Sequence, residues 1–212
     1  MALNSLQHWN GCQMCVIDTE TTGLDPQFHE LVQICILPLD SNMNVRTDVI
    51  PFYINLKPDH PERFDPGAGI VNKMDLASII KTGMDREKAK DLLEEWVVKL
   101  GLPLNARGYN RCKIIPAGHN YIQFDLPFIL RWLTKPVYDE IFHYHPRDTM
   151  VIAAYLNDRA AYHAERVPFS KISLDWVCNQ YGIENRKAHD AMSDCIATAA
   201  ALKKLLERGL IG

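Results

Sequence analysis

The sequence predicts an α/β protein built on a mixed β-sheet, and three observations carry that expectation. Three β-rich apolar runs follow one another at short spacing in the first quarter of the chain. A strongly periodic helical stretch then separates them from the rest. Beyond it, short apolar runs alternate with helical patterns, as they do where helices cover a sheet. The short spacings favour antiparallel pairing of the first three runs, because a parallel crossover takes a dozen or more residues.

Each element has its own signal. The first strand is the apolar run Cys15-Val16-Ile17, which leads into Asp18-Thr19-Glu20 and the turn residues Thr21-Thr22-Gly23-Leu24-Asp25-Pro26. Residues 30–39 form the second run, with Pro38 marking its end or an edge. Residues 48–56 alternate and read as the third. The Pro- and Gly-rich residues 57–69 are expected as a surface loop, and residues 70–80 as a short helical segment. Ala89, Leu92, Leu93, Trp96, Val97 and Leu100 form one buried helical stripe, with Asp85 as N-cap and Gly101 followed by Pro103 as its stop.

In the second half, residues 113–117 are expected as a short buried strand and residues 125–133 as a helix buried through Phe128, Ile129, Trp132 and Leu133. Residues 141–144 are expected as a last short strand and 148–156 as a helix. Residues 157–169 are expected as a loop or irregular helix. A helix over 173–181 is capped by Ser173 and ended by Gly182, and a final helix spans 190–208. No repeat, low-complexity tract or linker interrupts the pattern, so residues 1–212 read as a single domain.

Bulk properties narrow the function classes. The composition, 47% hydrophobic and 23% charged, is that of a globular protein. A net charge of −3 gives no global basic field, so a polyanionic partner would need a local basic rim or bound cations. Six cysteines in a chain of this size fit reduced thiols, and the cytoplasm is the expected place. The lone C-x-x-C of Cys12 and Cys15 has no second ligand pair, which argues against a zinc site. Residues 1–11 lack a signal peptide's basic start and apolar run, and no run approaches a membrane span.

The informative feature is the pair Asp18 and Glu20 at the end of a buried strand. Alternate residues of a strand share a face, so the two carboxylates stand side by side and repel each other. A divalent cation between them is a common reason to keep such a pair. Two further stretches offer partners. Gly118-His119-Asn120 follows a strand and leads to Asp125 at a helix start. His189-Asp190-Ala191-Met192-Ser193-Asp194 ends the set. His189 and Asp194 would not share a face if both were helical. They converge if His189 lies in the loop and Asp190 caps the helix. Each piece alone is a weak signal; their order and contexts together are the signal.

These three stretches resemble the motifs of the DEDDh 3′–5′ exonucleases: D-T-E-T-T-G-L-D, then G-H-N…F-D-x-x-F-I, then H-D-A-M-S-D, in the family's order. The resemblance covers about residues 14–206. One departure is that three residues, Tyr121-Ile122-Gln123, stand between H-N and F-D where many members have two. The resemblance implies an RNase H-like fold, a mixed five-stranded sheet with its first three strands antiparallel, flanked by helices. It implies two Mg²⁺ or Mn²⁺ ions held by Asp18, Glu20, Asp125 and Asp194, with Asp18 bridging both and His189 as general base. Thr21 and Leu24 would lie beside the 3′-terminal nucleotide, Leu24 wedging against its base, and His119 and Asn120 near the scissile end. Arg186 and Lys187 could touch phosphates.

The implied activity is release of nucleoside 5′-monophosphates from the 3′ end of nucleic acid. DNA is favoured as substrate, in single strands or at 3′ ends. Two alternatives stand beside it: an RNA-trimming or oligoribonuclease-like enzyme, and a non-catalytic nucleic-acid-binding module. A polymerase or replication partner is not evident from the sequence.

Overall fold

The structure, a computed structural model, describes residues 11–72, 75–102, 112–185 and 189–209. Five strands form its sheet: β1 (Gln13–Thr21), β2 (Leu31–Pro38), β3 (Phe52–Asn55), β4 (Ile114–Gly118) and β5 (Arg147–Asp148). Their order is β3-β2-β1-β4-β5. The pairs β1/β2 and β2/β3 are antiparallel, while β1/β4 and β4/β5 are parallel. The predicted mixed five-stranded sheet with three leading antiparallel strands is therefore present.

Helices α1 (Pro66–Asn72), α2 (Leu76–Thr82) and α3 (Arg86–Lys99) follow β3. Helices α4 (Asp125–Leu133) and α5 (Lys135–Ile141) lie between β4 and β5, and α6 (Thr149–Tyr162), α7 (Leu174–Tyr181) and α8 (Ala191–Gly209) close the chain. No helix among the described residues is long and apolar enough to cross a membrane.

Strand alternation sorts the core into two layers. Cys15 and Ile17 of β1 join Ile34, Ile36 and Ile114 on one face, covered by Leu93 and Trp96 of α3 and Phe128 and Trp132 of α4. Met14 and Val16 join Cys35, Leu37 and Ile115 on the other, covered by α8 through Ala191, Cys195, Ala199 and Leu202. Those α8 residues recur at four, four and three, one face of a helix. Their small side chains let α8 approach closely enough for Cys195 Sγ to reach the Val16 and Cys35 carbonyls at 3.6 Å. Cys12 and Cys15 fall in different layers, so they face away from each other, and both are free thiols.

Several expected boundaries move. The third strand is only Phe52–Asn55, preceded by Pro51, which has no N–H to give a ladder. The expected loop 57–69 contains a 3₁₀ turn, Pro61–Arg63, and the start of α1, where Pro66 takes the first position. The strand expected over 141–144 is not formed. α5, which the pattern missed, runs through Ile141, and Phe142 makes a single bridge to Ile114. The last strand is instead Arg147–Asp148, short because the Asp148 side chain turns the backbone by capping α6 at Met150 N, 2.9 Å away. Helix α6 continues through Asn157 to Tyr162, because the Asn157 side chain bonds outward to Phe169 N and O and leaves the helix unbroken.

Candidate active site

The site forms where the two layers meet at the C-terminal end of β1. Asp18 and Glu20 continue the Met14–Val16 face, the face covered by α8. The first turn of α8 therefore delivers Asp194 to them. Carboxylate oxygens of Asp18, Glu20 and Asp194 lie within 4.8 Å of one another. Asp125 arrives from the other layer, at the start of α4. Thr19, which points to that layer, donates from Oγ1 to Asp125 Oδ1 at 2.7 Å. One strand thus receives acids from both sides by presenting Asp18 and Glu20 on one face and Thr19 on the other.

The loop before α8 brings His189 and Asp194 together as the sequence anticipates. His189 has φ 69°, outside the helix. Its backbone N–H donates to Asp194 Oδ2 at 2.9 Å, and Asn185 Nδ2 donates to Asp194 Oδ1 at 2.5 Å. Asp190 Oδ2 accepts from Ser193 N at 3.2 Å and from Ser193 Oγ at 3.0 Å, as a capping residue does. Two residues of the neighbouring strands hold this helix start in place. Tyr53 Oη donates to Asp190 Oδ1 at 2.6 Å, and Gln33 Oε1 accepts from Ala191 N at 3.0 Å.

The carboxylates are poorly solvated and close together, and both effects favour their protonated forms. Burial, and then the charges of Asp125, Glu20 and Asp194, hold Asp18 well above the usual carboxylate range. Burial and the Asp194, Asp125 and Asp190 charges push Glu20 up to about 8. Burial raises Asp125 to about 7 against the opposing hydrogen bond from Thr19. Such a cluster fits a divalent cation on chemical grounds, since the donors are all hard oxygens and bound positive charge offsets their repulsion. Asp18, Glu20 and Asp194 would hold it, with Asp125 across the strand.

These side chains line a cleft of about 470 Å³ together with Thr21, Leu24, His119, Asn120 and His189. Leu24 stands 77% exposed at its rim. The turn beneath Leu24 is braced. Gly23 sits so close to the His29 ring that a Cβ there would meet ring atoms at 2.4 Å. His29 Nδ1 accepts from Asp25 N, and Arg131 donates to the Pro26 and His29 carbonyls at 2.8 and 3.0 Å.

On the opposite wall, Thr149 Oγ1 donates to Gly118 O at 3.1 Å and lies 2.8 Å from His119 Nδ1. Burial lowers the His119 pKa and keeps the ring neutral. Asn120 adopts φ 64° and donates from its backbone N to Asp148 Oδ1 at 3.0 Å. The three-residue spacer is absorbed by a turn in which Tyr121 is fully buried and bonded to Tyr138 Oη at 3.0 Å.

Nine of the eleven residues singled out from the sequence therefore line one cleft. Arg186 and Lys187 lie outside the described residues. Sequence reasoning missed the residues that hold the set in place: Asn185, Gln33, Tyr53, Asp148 and Thr149, as well as His29, to which it gave no role. Asp148-Thr149 had a local signal as a helix start. Gln33 and Tyr53 act across gaps of 158 and 137 positions, which no short motif spans, while Asn185 and His29 act within a few residues of Asp194 and Gly23.

Comparison with known proteins agrees with this fold. The exonuclease family of the RNase T type matches residues 15–95, which include Asp18 and Glu20. The oligoribonuclease of Buchnera aphidicola subsp. Baizongia pistaciae (strain Bp) is 28% identical over 140 residues, 64% of this chain and 79% of the relative. The fold is shared with E. coli exonuclease I in complex with a dT13 oligonucleotide (TM-score 0.68, 20% identity). It is shared equally with the moderately thermophilic exonuclease I of Methylocaldum szegediense (TM-score 0.68, 22% identity). Each superposition covers 93% of this chain, which spans only 41% of either exonuclease I. The exonuclease resemblance is thus borne out, and the family match takes in the first of the three motifs.

Proposed function

We propose that this chain is a metal-dependent 3′–5′ exonuclease that removes nucleoside 5′-monophosphates one at a time. The observation that carries the proposal is the convergence of Asp18, Glu20 and Asp194 oxygens within 4.8 Å, in a cleft shared with Asp125 and His189. Asp18, Glu20, Asp194 and Asp125 would hold two Mg²⁺ or Mn²⁺ ions. Bound there, such ions clamp phosphoryl oxygens and acidify water.

The protein's own groups do the rest. The exposed His189 projects from a loop whose backbone is already committed to Asp194, which leaves its imidazole free to take the proton of the attacking water. The water oxygen bonds to phosphorus, and the 3′ oxygen of the preceding nucleotide leaves. The terminal nucleotide departs with its 5′-phosphate. Thr21 and Leu24 would seat that nucleotide, Leu24 against its base, while His119 and Asn120 line the wall near the scissile bond.

DNA is the proposed substrate, in line with the oligodeoxynucleotide bound to E. coli exonuclease I. An exoribonuclease reading is favoured by a different observation, the oligoribonuclease relative. The test uses 3′- and 5′-labelled single- and double-stranded DNA and RNA, with Mg²⁺, Mn²⁺ or EDTA. Shortening from the 3′ end should require metal and vanish in Asp18→Ala. In His189→Ala the rate should fall by roughly 10²–10⁴. Activity in EDTA, or an intact rate in Asp18→Ala, would overturn the mechanism. The faster of the two sugars decides the substrate.

A further inference from the structure

The far ends of α6, α7 and α8 enclose a second cleft of about 740 Å³, apart from the carboxylates. Arg159, Arg166, Lys204 and Arg208 line it, against the two acids Glu165 and Glu207. Lys204 is paired with Glu207 at 3.0 Å. The guanidinium groups of Arg159, Arg166 and Arg208 have no hydrogen-bond or ion-pair partner among the described residues. Tyr181, in the same wall, has a buried hydroxyl with no hydrogen-bond partner among the described residues. Uncommitted guanidinium groups around one concavity are a donor set for phosphate oxygens.

The cleft is connected to the active site by two helices. α6 starts at Thr149, beside His119, and α8 carries Asp194 in its first turn. The two pack together through Ala153, Leu156, Ala197, Ala201 and Leu205. Lys204 and Arg208 lie about 15 and 21 Å beyond Asp194 at 1.5 Å per residue. At about 3.4 Å per stacked nucleotide, that span is about four to six nucleotides. Tyr155, 60% exposed, and Tyr162, 87% exposed, stand four residues before and three after Arg159, on its side of the helix. Exposed aromatic rings beside cationic groups are how sequence-tolerant sites hold single strands.

We propose that this cleft binds the phosphates of a single strand about four to six nucleotides 5′ of the end held in the active site. The inference rests on the exonuclease reading above. It makes long strands better ligands than short ones.

The test measures binding of 5′-fluorescein-labelled oligo-dT to the full chain in EDTA, where cleavage is stopped. One probe is a trinucleotide, and the other has about 12 nucleotides, twice the span. Arg159→Glu/Arg166→Glu should weaken the long probe by about tenfold or more and leave the trinucleotide within about twofold. The slope of log affinity against log salt should fall by about 1.4, at about 0.7 per lost phosphate contact. Arg159→Gln/Arg166→Gln should give a smaller loss in the same direction, and its melting curve controls for folding. Unchanged binding of the long probe, or an equal loss on both probes, overturns the inference. Metal-dependent shortening of the long probe, or of its RNA counterpart, by the unmodified chain separates the two readings. If neither is shortened, the exonuclease reading fails. If either is shortened while the arginine variants bind both probes normally, only the second cleft is refuted.

Discussion

The backbone N–H of His189 donates to Oδ2 of Asp194 across 2.9 Å, although the two residues are five apart and only Asp194 is helical. The left-handed backbone of His189 makes this possible, and one bond both aims Asp194 and commits the loop that carries the imidazole. Asn185 holds the other oxygen of the same carboxylate. Asp194 therefore enters the cleft with both oxygens already oriented.

Removing the Asn185 donor should loosen that orientation. Asn185→Ala is expected to weaken Mn²⁺ binding by about 10–100-fold, the usual effect of losing a group that orients a ligand. Calorimetric titration with Mn²⁺ measures it. An unchanged affinity would show that the His189 N–H alone suffices.

Thr19→Val tests the link across the strand. The Thr19 hydroxyl opposes the burial that raises Asp125, so its loss should raise the Asp125 pKa further above about 7. In the metal-free protein the titration of the Asp125 carboxyl, followed by NMR in EDTA, should move up by about one to two units, since a hydrogen bond to a charged group contributes about 1.5–3 kcal/mol. An unmoved titration would mean that the Thr19 hydroxyl does not hold the Asp125 charge.

Stability should depend on pH in a way that metal reverses. Glu20 at about 8 and Asp125 at about 7 are both raised above the values near 4 expected in the unfolded chain. The folded metal-free protein thus binds more protons than the unfolded one between about pH 4 and 8. Its stability is fullest below that window and is lost as pH rises through it. Melting curves in EDTA should show the fall, Glu20→Gln should flatten it, and Mg²⁺ should restore the melting temperature at the alkaline end. A melting temperature indifferent to Mg²⁺ and Mn²⁺ at pH 8 would count against the metal site.

Gly23→Ala addresses the turn under Leu24. The added Cβ would meet the His29 ring at 2.4 Å and force one of them to move. KM for a polynucleotide should rise by about tenfold with little change in kcat, as for lost ground-state contacts. His29→Ala in the same chain should recover part of the loss by making room. Failure of that rescue would place the effect in the backbone rather than in the clash.

The five residues proposed for the chemistry were legible because their signals are local. Asp18 and Glu20 are separated by one strand alternation, Asp125 follows a strand and opens a helix, and His189 to Asp194 contains its own cap. The helical stripe of Ala89, Leu93, Trp96 and Val97 was legible for the same reason: a period of 3.6 survives in any environment. The last strand was misplaced because two residues, Arg147 and Asp148, carry no periodicity at all. α6 was cut short because Asn157 looks like a loop residue until its partner, Phe169, is known.

By itself the sequence determined the fold class, the three leading antiparallel strands and which acids were candidates for the site. These follow from alternation, helical period, caps and motif spacing, all of which act within a few residues. The tertiary structure alone decided how the acids meet. It placed α8 and α4 on opposite faces of β1, so that Asp194 joins Asp18 and Glu20 while Asp125 is tied to Thr19. It also chose Asn185, Gln33, Tyr53 and His29 as the supports, and it gathered Arg159, Arg166 and Arg208 into one distal cleft. The physical reason is that a side chain's solvation, charge and hydrogen-bond partners are set by residues distant in the chain, and these become neighbours only when the layers pack.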